Sequence, residues 1–293
     1  MRILLFILTN MAVVLVMGVV WRLLGFESIL DNQGIDLDFN SLLVFCALFG
    51  MGGSLVSLFI SKWSAKRGTR TRIIETPSNR DEEWLLQTVR QLADQAGIGM
   101  PEVGVFPSDA PNAFATGWNR NNALVAVSSG MLQRFKPEEV RAVMAHEIGH
   151  VANGDMVTLT LIQGVVNTFV MFFARVIGHT VDRVVFRNER GLGIGYWVGT
   201  IVAEILLSIL ASMIVMWFSR YREYRADAAG ADLAGKHNMA AALRRLQAEI
   251  NAPSDLPGEL TAFGIRSGNG SNIRQLFSSH PPLDKRIEAL QNR

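Results

Sequence analysis

Four long apolar runs limit what this chain can fold into. Ile3 to Leu24, Ser41 to Ile60, Met156 to Gly178 and Leu192 to Phe218 each reach the length of about 20 residues that crosses a bilayer as a helix. Only Asn10 and Arg22 stand out as interruptions of the first run, and the second contains no charge. The 293 residues are 49% hydrophobic and 18% charged, below the roughly 25% charged of an ordinary soluble domain. A disordered, collagen-like or disulfide-stapled secreted chain is excluded, since Cys46 is the single cysteine and so forms no intrachain bridge. The net charge of +2 leaves no large basic surface for nucleic acid. These features predict a membrane protein with a soluble part.

The first run is too long for the core of a signal peptide, and no small-residue cleavage pattern follows before Glu27, so it reads as an uncleaved span. Between the first two runs lie four acidic residues and no Lys or Arg, whereas Lys62, Lys66, Arg67, Arg70 and Arg72 follow the second. Positive charge stays on the cytoplasmic side, which predicts an N-terminal transmembrane hairpin over residues 1–61 and a cytoplasmic segment over 62–155. Residues 156–218 form a second hydrophobic pair, and 219–293 return to the soluble part. Arg183, Arg187 and Arg190 sit between the third and fourth runs, so that pair either translocates a mildly basic loop or lies partly in the soluble body. Glu204 needs protein or water beside it, and Asn167 stands at a similar depth on the preceding run.

In the soluble part, helical spacing predicts a helix over residues 81–97, and Pro137 followed by Glu138 and Glu139 predicts another that stops near Asn153-Gly154. Val103–Val105, Asn112–Trp118 and Ala123–Val127 read as strands, the last two joined by a turn. Residues 219–249 read as long helix broken at Gly235, 251–272 as loop, and 284–291 as a closing helix.

The chemistry concentrates in His146-Glu147-Ile148-Gly149-His150 inside the second predicted helix. Imidazoles four residues apart share one helix face and converge on one cation, and zinc accepts two such nitrogens plus a carboxylate, leaving a place for water. Glu147, rotated about 100° from His146, reaches that water as general base without binding the metal. The metzincin pattern fails, because Asn153 and Met156 stand where it requires Gly and His. Downstream, Glu223 and Asp227 lie four apart between Arg220, Arg222 and Arg225; either carboxylate can be the third ligand while the other buttresses, and alone the cluster reads equally as a solvated charged face. Asp155 either accepts from a ligand histidine's second nitrogen or caps the next helix. His280 either donates to a developing oxyanion or simply precedes the helix after Pro281-Pro282.

The segments His146–Asp155, Arg222–Asp227, His280–Arg286 and Asn112–Gly117, with the chain length and the order of the runs, resemble the HtpX-type membrane proteases, a zinc gluzincin family that also includes the CAAX prenyl proteases. The resemblance implies a mainly α membrane protein whose transmembrane helices carry a zincin-like α+β catalytic domain with a small sheet. It implies one zinc per chain on His146, His150 and Glu223, with Glu147 as catalytic base. His280 and Arg286 match a C-terminal motif near the active site, and Asn112 opens an extended segment beside the cleft. Such proteases face the cytoplasm from the bacterial inner membrane and act on damaged membrane proteins. A prenyl-protein protease carries more spans than four, and a structural zinc adaptor uses four ligands, usually with thiolates, while Cys46 lies in the second run.

Overall fold

The computed structural model describes residues 38–251 and 278–293, together with the isolated Val19. The first apolar run and the loop expected over 251–272 fall almost wholly outside them. In chain order the elements are α1 (Phe39–Gly68), β1 (Arg72–Ile73), α2 (Arg80–Gln95), β2 (Glu102–Phe106), β3 (Ala113–Asn119), β4 (Asn122–Ser128), α3 (Ser129–Arg134), α4 (Pro137–Asn153), α5 (Asp155–Thr180), a π-helical turn (Val181–Val185), α6 (Ile194–Ala234), α7 (Lys236–Asn251) and α8 (Leu283–Gln291). This is the mainly helical architecture with a small mixed sheet that the sequence implies.

Two compact units emerge: the described residues of Met1–Ser57 with Val157–Val215, and Leu58–Met156 with Met216–Arg293. In the first, an added Cβ at Gly50 of α1 would stand 2.7 Å from the backbone nitrogen of Thr168, and one at Gly164 would stand 3.3 Å from Met51 Cα. Small residues thus let α1 and α5 touch closely, while Phe39, Leu43, Cys46 and Phe172 make an apolar cluster. Elsewhere large side chains such as Leu48, Phe49, Ile205 and Leu206 point outward uncovered. Among the described residues, α1, α6 and the helix running from α5 through the π turn are long and apolar enough to cross a membrane. Asn167 takes a hydrogen bond from Gln163 on its own helix.

The second unit is built on β4. Its Ala123–Val127 stretch is buried throughout, as a strand with neighbours on both sides requires. It pairs parallel with β2 and antiparallel with β3, giving the order β1-β2-β4-β3 and leaving β3 at an edge. Helix α2 starts because Asn79 Oδ1 accepts from the Glu82 amide at 2.8 Å, and it buries Leu85, Val89, Leu92 and Ala93 against the sheet's core. Two short elements had no expectation from the sequence: β1, two residues long, and α3, which Ser128 caps by accepting from the Met131 amide.

Helix α4 begins at Pro137, where the missing N–H is not needed, and ends on Gly154 in the left-handed conformation at φ 72°. Asp155 opens α5 at once, so the chain changes direction over a single residue beside His150. The fourth apolar run and the helix expected from residue 219 form one element, α6, which runs unbroken for 41 residues with no proline between Ile194 and Ala234. It ends at Gly235, φ 92°, as the sequence suggests. Replacing Gly154 by Val forces a branched side chain into the left-handed region, at about 1–2 kcal/mol. The expected result is a lower midpoint in chemical denaturation, with Gly154→Asn costing less.

A candidate metal centre

Two helices of the second unit bring the sequence's charged motifs together. An added Cβ at Gly149 of α4 would meet Ala229 Cβ at 2.9 Å and the Ala226 carbonyl at 3.3 Å, and one at Gly230 would meet the His146 backbone nitrogen at 3.3 Å. The helices therefore cross nearly backbone to backbone, one turn from Glu223 and Asp227 on α6. This glycine pair was not singled out from the sequence. Its signal was the clustering of Ala226, Ala229 and Gly230 just after the acidic pair, which only a close partner helix would need.

At the crossing, one nitrogen each of His146 and His150 and one Glu223 oxygen all lie within 4.8 Å of one another. His150 Nε2 is 3.3 Å and His146 Nε2 3.7 Å from the carboxylate oxygens of Glu223. Ligands of a tetrahedral zinc stand about 3.4 Å apart, so the donor set and its spacing fit such an ion. The far nitrogens are also held: His146 Nδ1 lies 3.0 Å from Asp227 Oδ1, and His150 Nδ1 is 2.6 Å from Asp155 Oδ2. The hydrogen bond to Asp155 fixes the His150 ring, Asp227 stands beside that of His146, and both Nε2 atoms face Glu223. Asp155, for which two readings stood open, both meets His150 and starts α5.

Arg286 of α8 meets the negative charge of the two α6 carboxylates. It donates to Asp227 through Nε at 2.8 Å and Nη2 at 2.6 Å, and its Nη1 lies 3.1 Å from Glu223 Oε2. Burial opposes a charge on this guanidinium, but Asp227 and Glu223 outweigh it and raise its pKa further above the ordinary value. His280 Nδ1 is 2.7 Å from Glu223 Oε2, while the ring remains partly exposed. Burial likewise disfavours charge on His150, yet its hydrogen bonds to Asp155 and Glu223 prevail and its pKa is pushed up to about 10.

Arg222 belongs to the cluster that alone read equally as a solvated charged face. It is buried, and its Nη1 donates to the Asp155 carbonyl at 3.1 Å, tying α6 to the junction after α4. Arg220 donates to the Ser278 carbonyl, and Ser278 Oγ to that of His280, which steadies the segment carrying His280.

Beside these groups lies a cavity of about 390 Å³ lined by His146, Glu147, Glu223, His280 and Arg286, with Asn112–Phe114 along another side. Glu147 thus opens onto the same space as the donor atoms without being one of them. The Asn112 backbone is pinned by Ser128, whose Oγ accepts from its amide at 2.9 Å and whose amide donates to its carbonyl at 2.8 Å.

Residues 79–293 match peptidase family M48. Protease HtpX of Pseudomonas putida (strain GB-1) is 64% identical over 293 residues, covering 100% of this chain and 99% of that one. The chain belongs to peptidase family M48, as an HtpX homologue. Protease HtpX of Hahella chejuensis (strain KCTC 2396) is likewise 64% identical, over 99% of this chain and 98% of its own. The crystal structure of S. mikatae Ste24p shares the fold, with a TM-score of 0.61 at 21% identity, over 98% of this chain and 67% of that one. This HtpX homologue is a membrane metalloprotease, and its His–His–Glu cluster is suited to a metal ion.

Removing the cation from a buried ion cluster strands its anions. Arg286→Met is expected to lower the stability of the metal-free protein by about 3–5 kcal/mol, read from denaturation midpoints, with Arg286→Lys restoring only part because it cannot make the two-pronged bond to Asp227.

Proposed function

We propose that this chain is a zinc-dependent endopeptidase of the bacterial inner membrane, its site facing the cytoplasm, that hydrolyses peptide bonds of damaged or misfolded membrane proteins. The observation that carries the reading is the convergence of His146, His150 and Glu223 on one point in a cavity that Glu147 also lines. Two imidazoles and one carboxylate are the donor set of a catalytic rather than a structural zinc, since they leave a position open. The basic cluster over the last turns of α1 and just beyond it supports a cytoplasmic second unit, with residues 1–61 as a membrane hairpin, 156–218 as a second helix pair, and 62–155 with 219–293 as the catalytic part.

Bound there, zinc supplies a Lewis acid that polarises the scissile carbonyl and acidifies water. A Glu147 carboxylate oxygen takes a proton from the attacking water as the new C–O bond forms. Glu147 then delivers that proton to the amide nitrogen as the C–N bond breaks, leaving an acid and an amine. Asp227 and Asp155 hold His146 and His150 in the tautomer that keeps Nε2 free for the metal. Arg286 keeps Asp227 and Glu223 ionised and aimed. His280 steadies Glu223 through Nδ1, and in its doubly protonated form offers Nε2–H to the oxyanion. A substrate backbone adds to the free edge of β3, which begins at the cavity just after Asn112.

Zinc content and peptide cleavage of detergent-purified wild type and Glu147→Gln test this directly. The variant is expected to keep about one zinc and lose roughly 10²–10⁴-fold in rate. Equal cleavage by the variant overturns the assignment of the base. Glu223→Ala is expected to lose zinc on dialysis where wild type retains it, and an unchanged metal content would move the third ligand elsewhere.

A further inference from the structure

Three helices of the second unit run on into apolar sequence, and on two of them a metal-centre residue stands beside the change. Asp155, whose Oδ2 is 2.6 Å from His150 Nδ1, is followed at once by the apolar run from Met156. Glu223 stands five residues past Phe218, where the run on α6 ends. Five helical residues rise about 7.5 Å, and any tilt of the helix lowers that height above a bilayer. As a helix the Met156–Gly178 run is about 35 Å long against about 30 Å of hydrocarbon, so little of it stands clear. Headgroups occupy about another 5–8 Å on each side. Outward-facing aromatics mark the same heights: Trp217 and Tyr221 of α6 and Trp63 of α1 are exposed, with Arg67 stacked 4.7 Å from the Trp63 ring centre. The third helix, α1, turns from apolar to basic between Ile60 and Lys62, and there it meets the far end of β3. The rings of Phe59 and Trp118 lie 5.9 Å apart, and Lys62 Nζ donates to Asn122 Oδ1 at 2.6 Å.

We propose that the metal centre stands at the level of the lipid headgroups and takes juxtamembrane segments, chain that has just left a span in the same bilayer. The proposal rests on the membrane-peptidase reading and adds where the cut falls. The edge strand β3 begins at the cavity and ends where α1 meets the bilayer, so a chain added to it lies along the membrane surface. An extended chain advances about 3.3 Å per residue, so it climbs from its own span to the site in about two to five residues. Seven residues of β3 give it a further lateral course, which puts the cut within about a dozen residues of the span. Confinement to the surface keeps such a segment at high local concentration beside the site. A segment held upright farther from the bilayer has no path down to it. The reaction is therefore selected by height above the membrane as well as by the residues at the bond.

Two measurements on the full-length protein in liposomes test this. A nitroxide attached at Tyr221→Cys, in a Cys46→Ala background, reports its depth by power saturation. It is expected within about 8 Å of the lipid phosphates, and a label farther than this into the water overturns the placement whatever the activity. For the cut, zinc-loaded protein shares liposomes with single-span substrates that carry one cleavable cassette. The cassette stands about four residues from the span or beyond a helical spacer of about twenty residues, which lifts it about 30 Å. The near cassette is expected to be cut at least about tenfold faster, and a flexible Gly/Ser spacer of equal length, which lets the cassette swing back, to recover most of that loss. Glu147-dependent cleavage at equal rates near the span and beyond the helical spacer overturns selection by height and leaves the peptidase standing. An equal loss with the flexible spacer overturns height as its cause. Absence of Glu147-dependent cleavage of every substrate overturns the peptidase reading itself, so the two failures are distinct.

Discussion

Two carboxylates one helical turn apart, both buried, set the terms for the second unit. Glu223 and Asp227 are each about 2% exposed, and a buried anion is tolerated only when its charge is met and its lone pairs are used. Asp227 is met by the fork of Arg286, with His146 Nδ1 3.0 Å away, and Glu223 by Arg286 and His280, with the Nε2 atoms of His146 and His150 facing it. These neighbours come from α4, α8 and the segment before α8, so those three elements and α6 are gathered round the same negative charge. The apolar cluster around them supplies the cohesion, but it would accept many arrangements of these helices. The ionic cluster accepts few.

The close helix crossing makes that arrangement reachable. Helices packed through ordinary side chains run 8–10 Å apart, and at that distance a Glu on one meets imidazoles on the other only at full stretch. Gly149 and Gly230 remove the side chains at the point of crossing, which brings Glu223 within 3.7 Å of both rings. The glycine inside the His-Glu-Ile-Gly-His segment therefore has a packing reason of its own, separate from the chemistry of its neighbours.

Much of this was legible in the residues. Local signals carried furthest: Pro137 with its following acids, Gly154, Gly235 and the turn between β3 and β4 each placed an element boundary within a few residues. The two histidines were legible because a helix of fixed pitch converts a four-residue spacing into one face. The opposing carboxylate was legible only as a choice between Glu223 and Asp227, since both lie on the inner face of α6 and tertiary contacts alone distinguish their partners. The place of Arg222 stayed open because a charged residue among charged residues gives no sign of burial, and its own depends on the carbonyl of Asp155, 67 positions away in the chain. Met239, Leu243 and Leu246 also line the cavity, but their spacing is that of any core-facing helix, and only the fold shows what they face.

Arg286 also fixes an order of events during synthesis. It follows Asp227 by 59 positions, and a ribosome adding about 5–20 residues per second takes roughly 3–12 s to cover that distance. For those seconds the two histidines and both carboxylates already exist, while the cation that gathers them does not. The buried ionic cluster is thus incomplete until α8 has been made and docked.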